Sequence, residues 1–356
     1  MRSLDDPRYI ERIDRLKMRE IIGAFSQQCT QAFALGKHVS PGRALAKVRN
    51  SVCCGMGGSA IGAEIMSGYL RKDLRIPLAV NRDYTLPGYV GKETLAILMS
   101  YSGNTEEVLG AYQQARSKKA KIIALTCGGE LAEAAKKNGD LCVLLPQGYP
   151  PRSALAFLSL PLLAIFANIG LIKNKEQEVR ETVKLLKKLE KEAFGVAVPS
   201  ERNPAKTLAH RLKDHYCVIY AADEHFSAVA TRWRQQLAEN SKMLSSTHVF
   251  PEMTHNEIVG WRHPRSALER FVVVFLRDPG EHPQVKKRID ITRELLQKES
   301  ITLKEIWSRG DGLLARMFSL IYKGDFVSYY LALLNEEDPL PVERIDYLKK
   351  QLKERR

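Results

Sequence analysis

Glu239 and His255 stand sixteen residues apart in a stretch rich in polar groups: Glu239-Asn240-Ser241-Lys242, then Pro251-Glu252-Met253-Thr254-His255-Asn256-Glu257. A carboxylate and an imidazole in one region are what moving a proton between adjacent carbons requires. His255-Asn256-Glu257 lacks the H-E-x-x-H spacing of a zinc site, so metal chemistry is not expected here. Two other clusters suit holding rather than reacting. Cys54-Gly55-Met56-Gly57-Gly58-Ser59-Ala60-Ile61-Gly62 and Ser100-Tyr101-Ser102-Gly103-Asn104-Thr105 each follow an apolar run. Hydroxyls and free backbone N–H groups at two strand-to-helix turns make a pocket for a dianion, most simply a sugar phosphate. Neither turn carries a side chain able to move a proton. Holding and chemistry are therefore expected from different parts of the chain.

Each cluster has a plainer account. Gly55 to Ala60 matches G-x-G-x-x-A, the dinucleotide fingerprint, but the end of the next strand reads Asn81-Arg82-Asp83, an ambiguous partner for a ribose. Ser59 is no nucleophile elbow, because that motif needs glycine where Ile61 stands. The glycines alone fit a tight turn with nothing bound. The second turn argues against that, since Ser100, Ser102 and Thr105 add three hydroxyls within six residues. Glu239 could be an ordinary surface carboxylate. It lies off the buried stripe of its helix, Phe226, Val229, Ala230, Trp233 and Leu237, at the helix end.

The elements that must position these groups are legible from apolar spacing. Residues 7–35 read as helical, with Ile10, Ile13, Leu16, Ile21 and Phe25 at helical intervals. Short aliphatic strands are predicted at 51–54, 77–80, 94–99, 121–126 and 141–145, with helices at 60–70, 105–116 and 130–137. Asn104 followed by Glu107 suggests a capping pair at a helix start. Such alternation argues a parallel sheet with helices on both faces, and both turns would lie at its C-terminal edge, where doubly wound folds bind ligands. After Pro146–Pro151 come an uncharged segment and a charged helix over 173–192, with Pro199 and Pro204 marking a second boundary. The alternation resumes with strands at 216–220, 247–250 and 271–275 and an extended run at 301–306. Helices are predicted at 226–238, 282–297 and 311–333, and a last basic helix from Val342.

The composition is that of a globular protein: 356 residues, 44% hydrophobic and 27% charged, enough for two domains. Six cysteines without metal spacing read as reduced thiols packed as small hydrophobes, which suits a cytoplasm. The opening Met1-Arg2-Ser3-Leu4-Asp5-Asp6-Pro7 has no apolar core and is not expected to be a signal peptide. Residues 154–172 carry no charge over 19 positions, near a membrane span in length, but Ser159, Pro161, Asn168 and Gly170 favour a buried helix, or two broken at Pro161. The net charge of +14 is spread along amphipathic segments without interleaved aromatics. It suits solvated helix faces and approach of an anion better than nucleic acid.

Together these residues resemble a known family. Gly55 to Gly62, Ser100 to Glu107, Leu125-Thr126-Cys127-Gly128-Gly129, Pro151-Arg152-Ser153-Ala154-Leu155, Trp233 to Lys242, Pro251 to Trp261 and Pro341 to Lys349 are similar to the bifunctional phosphoglucose/phosphomannose isomerases. These enzymes contain two sugar isomerase (SIS) domains. The resemblance implies an α/β chain of two SIS-type αβα sandwiches with parallel sheets, plus N- and C-terminal helices. The expected division is 1–152 for the first SIS domain, 153–202 for a helical connection, 203–334 for the second and 335–356 for a helix returning to the site. It implies reversible conversion of glucose 6-phosphate or mannose 6-phosphate to fructose 6-phosphate, without metal or cofactor, in the cytoplasm. By motif, Gly57, Gly58, Ser59, Ser100, Ser102 and Thr105 hold the phosphate, and Glu239 moves the proton between C1 and C2 through a cis-enediol. Arg152 offsets charge on the enediolate, and His255 opens the ring with Lys349 assisting. The resemblance also implies a homodimer in which the partner donates His255, and no nucleic-acid or membrane partner. The second unit's turn, Tyr220-Ala221-Ala222-Asp223-Glu224-His225, lacks the glycines and is not expected to hold a second phosphate. The rival readings are a non-catalytic SIS-type phosphosugar sensor, which the turns alone permit, and a nicotinamide-dependent oxidoreductase.

Overall fold

The computed structural model describes residues 4–39, 45, 47–299 and 301–355; Met1-Arg2-Ser3 of the opening stretch lie outside them. Three helices come first: α1 (Pro7–Ile13), α2 (Met18–Gly23) and α3 (Phe25–Lys37). The sequence reads as one helical stretch there. It is broken because buried Asp14 caps α1 and accepts from Met18 N at 2.6 Å and Arg19 N at 3.1 Å. The first α/β unit follows: β1 (Asn50–Cys54), α4 (Gly57–Leu70), β2 (Leu78–Asn81), β3 (Thr94–Met99), α5 (Glu106–Ser117), β4 (Lys121–Thr126), α6 (Gly129–Asn138) and β5 (Leu141–Leu144). The uncharged segment contributes α7 (Leu160–Asn168), with Pro161 in its first turn rather than breaking it. A proline is tolerated there because its missing N–H would have no helical partner. The segment is buried through Phe166, and among the described residues no helix is long and apolar enough to cross a membrane.

After α8 (Glu176–Leu189) comes α9 (Pro204–Leu212), where the sequence suggested only a boundary. Asn203 caps it, accepting from Ala205 N at 3.0 Å and Lys206 N at 3.1 Å, with Pro204 at the first position. The second unit is β6 (Tyr216–Ala222), α10 (Asp223–Ser241), β7 (Ser245–Phe250), α11 (Arg265–Leu268), β8 (Phe271–Arg277), α12 (Pro283–Lys298) and β9 (Thr302–Trp307). The long α13 (Leu313–Leu334) and α14 (Glu343–Glu354) close the chain.

Both sheets are parallel throughout. The first has the order β2-β1-β3-β4-β5, the second β7-β6-β8-β9. Alternate residues of β1 face opposite layers: Cys53 packs in the core that holds Ile61 and Ile65 of α4, Val52 and Cys54 in the one that holds Val108 of α5 and Leu131 of α6. In the second sheet Val218 and Val273 share a core with Ile289 of α12, while Ile219 and Val274 join the large core with α10 and α13. Two αβα sandwiches result, as the resemblance implies. Burial on both faces explains why β3 is apolar at nearly every position rather than alternating.

Two helices join the sandwiches. α4 and α10 pack against each other, and the carbonyl of Gly68 near the end of α4 meets His225 Nδ1 at 2.8 Å near the start of α10. Arg71 and Lys72 pair there with Asp223 and Glu224. The opposite ends, Gly57 of α4 and Glu239 of α10, are thereby turned toward each other.

Candidate active site

The two serine turns meet because β1 and β3 are hydrogen-bonded neighbours, with Cys54 opposite Leu98, although they are far apart in sequence. β1 also pairs with β2 on its other side, so the strand order reverses between β1 and β3. That reversal opens a crevice at the C-terminal edge of a parallel sheet. Both helices that start there lack a side-chain cap, at Met56 for α4 and Thr105 for α5. Their first N–H groups are left for an anion.

Gly57 opens α4 with φ +48°, and Ser59, 4% exposed, lies in its first turn. In the second turn Ser100 and Thr105 share a hydrogen bond of 2.8 Å, and Ser100 Oγ accepts from Gly103 N at 3.0 Å. Ser102 is exposed and accepts from Asn104 N at 3.3 Å. The Asn104–Glu107 capping pair does not form. Thr105 is the cap residue, and Asn104 Oδ1 instead accepts from Glu130 N of α6 at 3.0 Å, tying this turn to the next.

Arg152 connects the turns to the acid. It sits on the short helical turn Pro151–Ser153, pressed against α4 at Gly58. A Cβ on Gly58 would stand 2.5 Å from Pro151 O and 3.2 Å from Arg152 N. Gly58→Ala is therefore expected to push the two segments apart at a cost of about 1–3 kcal/mol. A lowered melting temperature with reduced turnover checks this; an unchanged protein would contradict it.

The guanidinium is 4% exposed and nearly filled with partners. Nε donates to Asn240 Oδ1 at 2.8 Å, and Nη2 to Pro339 O at 2.8 Å and Leu340 O at 2.6 Å. Nη1 faces Glu239 Oε2 at 3.7 Å, too far for a good hydrogen bond. Three donors fix the fork and two remain beside the carboxylate, which is a preorganised arrangement for charge that develops there. Burial, only partly offset by Glu239 and reinforced by Arg232, holds the Arg152 pKa below its ordinary value.

A buried polar layer between α10 and α13 supports this arginine. Arg232 donates from Nη1 to Arg152 O at 3.1 Å and from Nη2 to Asp325 Oδ2 at 2.8 Å. Gln236 Nε2 donates to Asp325 Oδ1 at 3.0 Å, and Asn240 Nδ2 to Ser328 Oγ at 2.9 Å. Burial raises the Asp325 pKa against the pull of Arg232. Sequence reading gave these residues no role. One signal was present: Asp325 is the single acid in the long, largely apolar α13.

The structure brings Arg152 to Glu239 and the first turn to the second. It places His255 away from Glu239 within one chain. Glu239 is near the end of α10, and His255 follows the far end of β7. Between them β7 runs six residues, about 20 Å at roughly 3.3 Å per residue. His255 and Lys349 are both exposed. The loop that carries His255 is anchored by buried Met253 and Trp261, and Trp261 Nε1 donates to Tyr220 OH at 2.8 Å. In the second unit α10 begins directly after β6 with no intervening turn, and its leading carboxylates are paired with Arg71 and Lys72. Among the described residues, no group of three or more His, Cys, Asp or Glu could hold a metal ion.

Residues 44–160 match the SIS domain, and residues 201–352 match the bacterial phospho-glucose isomerase C-terminal SIS domain. The bifunctional phosphoglucose/phosphomannose isomerase of Caldicellulosiruptor bescii is 43% identical over 95% of this chain and 99% of that protein. The protein of the same description from Aquifex aeolicus is 34% identical over 87% of this chain and 92% of its own. A solved glucose-6-phosphate isomerase-like protein from Thermus thermophilus shares the fold, with a TM-score of 0.66 at 22% identity, covering 96% of this chain and 99% of that one. Likeness of this degree runs across both sandwiches and the cleft between them, so the chain belongs to the bifunctional phosphoglucose/phosphomannose isomerase family.

Proposed function

We propose that the chain is an aldose–ketose isomerase that interconverts glucose 6-phosphate and mannose 6-phosphate with fructose 6-phosphate. The observation that carries this is the open Arg152 Nη1 beside Glu239, one arginine away from the phosphate turns. The phosphate sits on the N–H groups of Gly57 and Gly58 and the hydroxyls of Ser59, Ser100, Ser102 and Thr105. In the opened sugar, Glu239 takes the proton from C2 of the aldose. The C–H electrons form the C1=C2 double bond, and O1 gains a proton to give the cis-enediol. O2 then loses its proton to become the ketone, and Glu239 returns its proton to C1. Arg152 stabilises the negative charge on O1 and O2, the role a preorganised cation serves best in a water-poor cleft. Both epimeric aldoses give one enediol, so a pocket indifferent to C2 configuration serves both.

Ring opening is assigned to His255, assisted by Lys349. The separation along β7 supports a homodimer in which the partner subunit's His255 completes each site. An exposed apolar stripe on α14, Ile345, Leu348 and Leu352, is available to such an assembly. Six unpaired cysteines support a reducing compartment, the cytoplasm. The division into 1–152, 153–202, 203–334 and 335–356 follows the same reading.

Fructose 6-phosphate formation from each aldose phosphate, with a chelator present, tests the proposal. Turnover of both is expected. Binding without turnover would favour a phosphosugar-sensing regulator instead. Complementation tests the assembly. Glu239→Gln and His255→Ala subunits, each inactive alone, should recover about a quarter of the activity after random mixing into dimers, since half of each heterodimer's sites are intact. No recovery would place His255 outside the partner's site.

A further inference from the structure

Four successive carbonyls of one segment, Asp338 to Pro341, are taken by two cations. Arg152 Nη2 holds the middle pair, Pro339 O and Leu340 O, at 2.8 and 2.6 Å. Lys242 Nζ holds the outer pair, Asp338 O at 3.1 Å and Pro341 O at 2.8 Å. The same ammonium donates to Glu239 O at 2.9 Å and, more weakly, to Asn240 O at 3.4 Å. These belong to the last turn of α10, whose carbonyls have no partner within the helix. One side chain thus ties the backbone of the candidate base to the strap that grips Arg152, the candidate cation for the enediolate.

The backbone at Lys242 points the same way. It ends α10 in the left-handed conformation, φ 55°, where glycine is the residue at ease. A lysine there is under strain, and its three N–H donors are shared among four carbonyls. Lys242 is exposed overall, but partial burial of its ammonium, with Arg152 close by, holds its pKa below the ordinary lysine value. Beyond the strap the chain enters α14, which carries Lys349.

We propose that Lys242 is a positioning residue for the isomerisation: by clasping the strap at both ends it holds Arg152 with Nη1 open toward Glu239 and sets where α14 leaves the body. This rests on the roles given above to Arg152 and Glu239. Lys242 itself touches only backbone and transfers no proton.

Steady-state kinetics of Lys242→Gly, Lys242→Met and Lys242→Arg, beside the unsubstituted enzyme and Glu239→Gln, test this. Loss of alignment is expected to lower kcat of the Gly and Met variants on the order of tenfold to a hundredfold, with KM little changed. The Arg variant should recover much of that loss. Lys242→Gly relieves the backbone, so its melting temperature should not fall as its kcat does. Adding Lys242→Met to Arg152→Lys should slow the enzyme little further, because the two act through one strap. Wild-type kcat in either the Gly or the Met variant, with Glu239→Gln inactive, overturns the inference and leaves the isomerase reading standing. A kcat loss that merely follows loss of folded protein overturns it as well. An unsubstituted protein without turnover removes both.

Discussion

Glu239→Gln is expected to lower kcat on glucose 6-phosphate and mannose 6-phosphate alike by about 10²–10⁴-fold, the usual worth of a positioned general base. KM and fructose 6-phosphate binding stay close to those of the unsubstituted protein. The split follows from geometry. On the proposed reading the phosphate is held by turns on the first sandwich, whereas Glu239 stands on the last turn of a second-sandwich helix. Gln keeps the size and polarity of the side chain, so the 27%-exposed position and its surroundings need not rearrange. Glu239 Oε2 lies 3.7 Å from Arg152 without closing a hydrogen bond, so little structure depends on its charge. Stability should therefore be near normal by thermal melting. Activity surviving at the wild-type level would show that another group moves the proton.

Arg152→Lys is the second large effect, with kcat falling about 10²–10³-fold as for loss of an oxyanion donor. A charge remains, but an ammonium cannot reproduce a planar fork that fixes itself by one edge and offers the other. Asn240 Oδ1, Pro339 O and Leu340 O also lose well-aligned donors. Each buried acceptor left unpaired costs about 1–3 kcal/mol, so this variant should melt lower than Glu239→Gln. Measuring kcat and thermal midpoint on both variants separates the roles: chemistry alone for Glu239, chemistry with architecture for Arg152. Equal stability of the two would contradict an arginine that braces the strap.

Much of this was legible in sequence where local pattern decides structure. The strands at 94–99 and 121–126 fall where the aliphatic runs lie, because burial on both faces leaves few polar residues inside them. The turn after β1 was readable since glycine and serine there do local work. The failures are equally local in origin. Asn104 looked like a cap for its own helix but bonds to Glu130, a partner that becomes a neighbour only once β3 and β4 are paired. Pro199 and Pro204 read as a boundary, though Pro204, with Asn203 as its cap, is a helix start. The layer of Arg232, Gln236, Asp325 and Ser328 was out of reach of one-dimensional spacing, because it exists only where α10 and α13 pack. Nor could spacing show that Glu239 and His255, close in sequence, are held at opposite ends of a strand.

The central claim is spatial: an acid on the second sandwich reaches the carbons of a sugar whose phosphate is tethered to the first. A crystal soaked with fructose 6-phosphate measures this directly. The account predicts the phosphate among Ser59, Ser100 and Thr105, with C1 and C2 against the Glu239 carboxylate and O1 or O2 on Arg152 Nη1. A phosphate bound elsewhere, or a sugar chain that leaves Glu239 out of contact with C1 and C2, would contradict it.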